Sequence, residues 1–367
     1  MGNRARALRR PMMLTSPDDP TFEDLRQALA ERADALDAAG TWPSEQLSLC
    51  RKAGVFGWFV PSEWGGSGWN DVDLLRAYLK LSSACLSTTF VLTQPQGACQ
   101  RILASDNSEL KTRVLPSLAR GDRLATVGIS HLTTSRRHLA RPVLTARVDG
   151  GGFILDGTIP WVTGAVEADY VVTGATCDDG RQILALLPIA SPGVTPLAPA
   201  RLVGLTATCT GEVRCEGARL GEEWLLAGPV EGVLTQGRGA GTGGLQTSAL
   251  AIGLASAAIG YLREQAEERP DLVAPAEALR GEHGELEVEL LSLASGERCV
   301  SYDDVRVRAN SLVLRATQAA LAAAKGSGYV AGHPAGRWCR EALFFLVWSC
   351  PRPVMAAALC ELAGLEA

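Results

Sequence analysis

The sequence predicts an α+β fold in three consecutive parts: an N-terminal α-helical domain, a small central β-barrel or sandwich, and a C-terminal four-helix bundle. Two observations carry that prediction. The apolar period runs helical, then alternating, then helical again along the chain, and glycine, proline and threonine punctuate only short runs in the middle. A third bounds it: 367 residues with 47% hydrophobic content can bury a large core and divide into two or three domains.

The opening "MGNRARALRRPMMLTS" is Arg-rich and acid-free, yet lacks the apolar core of a secretory signal. Arg6 also breaks the N-myristoylation pattern, so residues 1–20 read as a disordered leader. Residues 21–121 form the helical domain, since "FEDLRQALAERADALDAAG" and "DVDLLRAYLKLSSACLSTTFVL" repeat apolar residues at three-and-four spacing. Residues 122–235 form the β domain, in runs such as "VLTARVD", "FILDG", "YVVTGA" and "ILALLP". Residues 236–367 form the bundle, from stretches such as "TSALAIGLASAAIGYLREQAEER" and "DVRVRANSLVLRATQAALAAAKG". Between the last two, "GRGAGTGGL" (Gly237–Leu245) has no Lys-Ser/Thr pair and no preceding buried strand, and reads as a hinge rather than a phosphate loop.

Composition narrows the function classes. Net charge is −5 with the charges interspersed, which implies neither nucleic acid nor an anionic membrane as partner. No apolar run is uninterrupted over the length of a membrane span. Ten cysteines stand apart with no CxxC pair, the pattern of reduced thiols in a cytoplasmic protein without a metal site. One short stretch poses a chemical question. In "DGTIPWVTGA" Trp161 and Thr163 sit at the end of a strand, where an indole face and a hydroxyl either plug a core or meet a ligand.

Four segments, in order, resemble one family. "PSEWGGSGW" (Pro61–Trp69) is similar to the PEEYGGSG signature of the acyl-CoA dehydrogenases. "LKTRVLPSLARGD" resembles that family's K-x-x-x-L-P-x-L-A-x-G-E, and "GFILDGTIPWVTGAVEADYVV" its G-[YF]-x-L-N-G-x-K-x-W-I-[ST]-N-[GA]-x-x-A-D. "GYVAGHPAGRWCREA" resembles G-Y-x-x-x-x-P-x-x-R-x-x-R-D-A, so the likeness is collinear from about Thr21 to the C-terminus. The resemblance implies an FAD-dependent oxidoreductase acting on an acyl thioester or related compound, assembled as a homodimer or homotetramer, with an electron-accepting flavoprotein as partner. It also implies that Trp161 and Thr163 lie against the flavin ring, with Ser130 and the Ile129 amide at its pyrimidine edge. The phosphate-cradling half of the motif is replaced by "LTTSRRH", where Arg136 and Arg137 either neutralise a pyrophosphate or form a solvated pair. "EERPDLV" and "AAAKGSG" replace two further ADP-binding elements, which leaves FMN open beside FAD.

The chemistry implied by the resemblance needs a carboxylate to remove the substrate α-proton. Alignment through "ALFFLVWSCPRP" puts Trp348 and Ser349 where the family's Tyr-Glu stands, and the minority position for that glutamate falls at Gly243 or Gly244. No catalytic base is identified. Glu341 reads as structural, paired near Arg340, while His131 is expected to face solvent and His333 to cap a helix. Two other readings stay open: an inactive family member serving as a binding or assembly subunit, and a flavin-dependent monooxygenase of the same superfamily, which needs no such carboxylate.

Overall fold

The computed structural model describes residues 13–133, 142–235, 244–297, 300–348 and 350–365. The N-terminal part is helical: α1 (Phe22–Ala39), α2 (Ser44–Lys52), α3 (Asp71–Ala84), α4 (Leu86–Ala104) and α5 (Ser108–Ala119). Asn70 starts α3 by accepting the Asp73 amide at 2.9 Å, satisfying one of the donors a helix start leaves open. The long apolar run that begins there is two helices, because Cys85 is extended (φ −154°) and turns the chain between α3 and α4. Residues 13–20 are not a loose leader. Leu14 is buried and its amide donates to the Ala53 carbonyl, while Arg76 pairs with Asp18 and Lys80 donates to the Pro17 carbonyl. Residues 1–12 lie outside the described part of the chain.

The middle part holds β1 (Ala125–Gly128), the single-turn α6 (Ser130–Thr133), β2 (Leu144–Val148), β3 (Gly152–Val162), β4 (Tyr170–Cys177), β5 (Gln182–Pro188), β6 (Val194–Pro196), β7 (Gly211–Gly221) and β8 (Leu225–Val230). The expected barrel or sandwich is one mixed sheet of eight strands in the order β6-β7-β3-β2-β4-β5-β8, with β1 parallel on β4. Strand β4 forks: its first four residues pair with β1 and its last two with β2, both in parallel, which carries β1 toward the helical parts.

The C-terminal part runs through α7 (Leu245–Ala266), α8 (Val273–Ala294), α9 (Tyr302–Gly328), α10 (Pro334–Ala342), α11 (Phe344–Val347) and α12 (Arg352–Leu362). By length and mean hydropathy (1.4) α7 could cross a membrane, but 67% of its apolar window is buried inside the fold, as befits a bundle's central helix. Two hydrophobic cores result. One is continuous through both helical parts, from Leu14 to Phe345; the other, from Leu144 to Leu220, belongs to the sheet. At the seam α3 and α7 touch backbone to backbone: a Cβ on Gly253 would stand 1.9 Å from Ser82 Oγ and 2.5 Å from the Leu79 carbonyl oxygen. Most of the glycine-rich hinge, residues 237–243, lies outside the described residues.

Candidate functional site

Strand β3 delivers Trp161. Pro160 cannot donate to the sheet ladder, and the β3–β7 register shifts between Ile159 and Val162. The shift leaves Ile159 and Val162 fully buried and turns Trp161 outward, 42% exposed. Trp161 borders a cavity of about 430 Å³ between the sheet and the helices. Ile129 and Ser130, at the step from β1 into α6, line the same cavity. The Ser130 Oγ is buried and has no hydrogen-bond partner among the described residues, which leaves donor and acceptor capacity at the wall.

Thr163, one residue beyond β3, does not border this cavity. It is 2% exposed, its hydroxyl lies 3.1 Å from Thr210 Oγ1, and its carbonyl accepts from Thr126 Oγ1 at 2.8 Å. Thr210 in turn lies 2.8 Å from Thr208, and those two do line the cavity. The sequence gives no local sign of them, because Thr208 ends a 3-10 turn (Thr206–Thr208) and Thr210 follows the left-handed Cys209, so no strand periodicity marks the pair.

The helical side of the cavity comes from three elements. Helix α4 contributes Phe90, Thr93, Gln94, Gln100 and Arg101, and the start of α7 contributes Gly244, Gln246 and Thr247. Phe344 and Trp348, at the two ends of α11, close it with Phe90. These rings form one cluster: Phe90 meets Phe344 and Trp348 edge-on at 4.8 and 5.0 Å, and the latter two stack at 5.4 Å. Arg101 donates to the Gly97 carbonyl at 2.8 Å, and burial lowers its basicity below the usual guanidinium value.

Among the described residues lining the cavity there is no carboxylate and no histidine. Of the positions where alignment looks for a base, Gly244 borders this wall, as does Trp348 in the place of the family's tyrosine. Their neighbours Ser349 and Gly243, like Arg136 and Arg137, lie outside the described residues. The remaining titratable groups sit elsewhere. His131 does not face solvent: it is 8% exposed, with Nε2 2.7 Å from the Gly174 carbonyl. His333 caps α10, its Nδ1 accepting the Ala335 amide at 3.2 Å. Glu341 is 1% exposed and pairs with Arg337 at 3.1 Å, one helical turn back, rather than with Arg340. Arg337 reaches on to Asp34 of α1 at 2.7 Å, and Arg340 pairs with Asp37.

The family model for the acyl-CoA dehydrogenase N-terminal domain matches residues 23–122. The short-chain specific acyl-CoA dehydrogenase of Rattus norvegicus mitochondria is 27% identical over 351 residues, covering 88% of this chain and 85% of the relative. The chain is thus similar to the acyl-CoA dehydrogenase family along most of its length. Solved structures share its fold at lower identity. A glutaryl-coenzyme A dehydrogenase in its glutaryl-CoA complex superposes with a TM-score of 0.79 at 20% identity, covering 94% of this chain and 95% of that one. The dibenzothiophene monooxygenase TdsC from Paenibacillus sp. A11-2 gives 0.76 at 18% identity, covering 92% and 94%. The glycine-rich segment 61–69 is a structural turn away from the cavity. A Cβ on Gly66 would fall 1.8 Å from the Val60 carbonyl oxygen, and Trp69 stacks on Trp58 at 4.0 Å.

Proposed function

We propose that the chain is a flavin-dependent oxidoreductase that takes an acyl thioester, or a related carbonyl compound, into the cavity between sheet and bundle. The observation that carries this reading is the shared wall of Ile129, Ser130 and Trp161, with the buried Ser130 hydroxyl lacking a partner among the described residues. A flavin edge would satisfy that hydroxyl, and the outward indole of Trp161 offers a stacking face. Thr163 would act through the Thr210–Thr208 hydroxyl chain, which supports the cavity wall from behind. A bound flavin supplies hydride acceptance. The chain's own residues bind and orient: the Phe90, Phe344 and Trp348 cluster excludes water, and Thr208 and Thr210 present hydroxyls.

FAD is the proposed cofactor, with FMN as substitute, and Arg136 is the proposed phosphate contact. Substrate oxidation in this cavity lacks the usual base among the described lining residues, and Ser349 takes the aligned glutamate's place in sequence. That same observation favours a second reading, a flavin-dependent monooxygenase, whose chemistry runs through oxygen and needs no carboxylate; the likeness to TdsC, solved with FMN at a TM-score of 0.78, agrees with it at the level of fold. The proposed partners are a small acyl thioester, further copies of this chain and an electron-accepting flavoprotein.

Titration of flavin-free protein with FAD and FMN, followed by absorbance, tests the reading. We expect both to bind, FMN within about tenfold of FAD (about 1.4 kcal/mol), and Trp161→Ala to abolish binding. Binding of neither would overturn the proposal in favour of a non-catalytic binding or assembly subunit. FAD far tighter than FMN would show that Arg136 or its neighbours grip the pyrophosphate.

A further inference from the structure

Four carboxamides line the cavity: Gln94, Gln96 and Gln100 from α4, and Gln246 from the first turn of α7. Three of them also line a second cavity of about 200 Å³, bordered on its other sides by residues such as Asp71, Leu75 and Tyr302. Gln96, Gln100 and Gln246 therefore form a partition between two chambers. Ile129, Ser130 and Trp161 border only the first, so the partition and the proposed flavin wall are different walls.

The partition is oriented as well as polar. Gln96 Oε1 accepts from the Tyr78 hydroxyl at 2.6 Å. Tyr78 is fully buried, and burial raises its phenol well above its ordinary value, so it stays a donor. That bond fixes the Gln96 carboxamide, and nothing among the described residues accepts from its Nε2. Gln100 and Gln246 make no side-chain hydrogen bonds among the described residues, and Gln94 spends its Nε2 on Thr93 Oγ1 at 3.0 Å, leaving its oxygen. An alkyl chain pressed against these groups would strip their water and return no hydrogen bond; a substituent that donates and accepts would replace it.

We propose that this partition reads a neutral hydrogen-bonding substituent, a hydroxyl or carboxamide, on the substrate's acyl group, so that the chamber discriminates against unsubstituted alkyl thioesters. The proposal rests on the acyl-thioester reading above and deepens it to a substrate class.

The test is equilibrium binding, by calorimetry under anaerobic conditions, to the full-length protein with flavin in excess. The probes are two near-isosteric pairs: 3-hydroxypropanoyl-CoA against butyryl-CoA, and 6-hydroxyhexanoyl-CoA against heptanoyl-CoA. We expect the hydroxylated member of at least one pair to bind about tenfold tighter or better, and Gln100→Leu and Gln246→Leu each to erase most of that ratio. Both variants keep the Tyr78–Gln96 bond, and thermal melting near the wild-type value confirms that they fold. Equal binding within both pairs, or tighter alkyl binding, overturns the inference and leaves the thioester reading standing. A hydroxyl preference untouched by either variant overturns the assignment to the partition. Binding of none of the four overturns the thioester reading, and the inference falls with it.

Discussion

Glu341 is buried in the core, where burial raises its carboxyl above the usual range against the pull of the Arg337 guanidinium, and its role is structural. Arg337 bridges it to Asp34, which ties α10 to α1 across more than 300 residues of sequence. The two carboxylates keep the Arg337 guanidinium protonated more firmly than usual despite its burial. Removing one partner strands a buried charge, so Arg337→Ala should cost about 3–5 kcal/mol in urea unfolding, whereas Arg337→Met with Glu341→Leu should cost much less. Equal losses in the two would contradict this account. At this scale the sequence was legible where a residue's role is local. Trp161 stands beside a proline that breaks the ladder, and both features can be read within three residues. Thr163 was not legible, because the partner that draws its hydroxyl inward is Thr210, 47 residues away. His131 misled for the same reason: its carbonyl partner, Gly174, arrives on β4.

Single elements were legible in type and less so in extent. The helical period of α3 and α4 runs on through Cys85, and only the extended backbone there shows two helices rather than one. Helix α4 is buried around nearly its whole circumference, so its polar residues form no solvent face and periodicity gave no hint that three glutamines would meet a cavity. Helix α7 shows the complementary case. Its small residues announced close packing, and Gly253 is where that packing is tightest, with Ser82 and Leu79 inside the space a side chain would need. The β runs were recognised, but their closure into one forked sheet depends on β1 pairing with β4 in parallel, a contact no local pattern encodes.

As a whole, the molecule joins one continuous helical core to a sheet and leaves the cavity at their junction. Helix α12 keeps Met355, Leu359 and Leu362 exposed, and the preceding helices are rich in small residues. We expect the protein to associate through this part as a dimer or tetramer, which sedimentation at micromolar concentration would show; a monomer alone would contradict the expectation. The central claim of the proposed function is that Ile129, Ser130 and Trp161 would hold a flavin at a cavity whose described lining residues include no carboxylate. Without a positioned base the abstraction of an α-proton slows by roughly 10² to 10⁴. The direct measurement is anaerobic mixing of flavin-loaded protein with saturated acyl-CoAs of several lengths, following flavin absorbance. The account predicts slow or absent bleaching for the wild type, with bleaching restored in part by Ser349→Glu; fast bleaching of the wild type by any of them would contradict it.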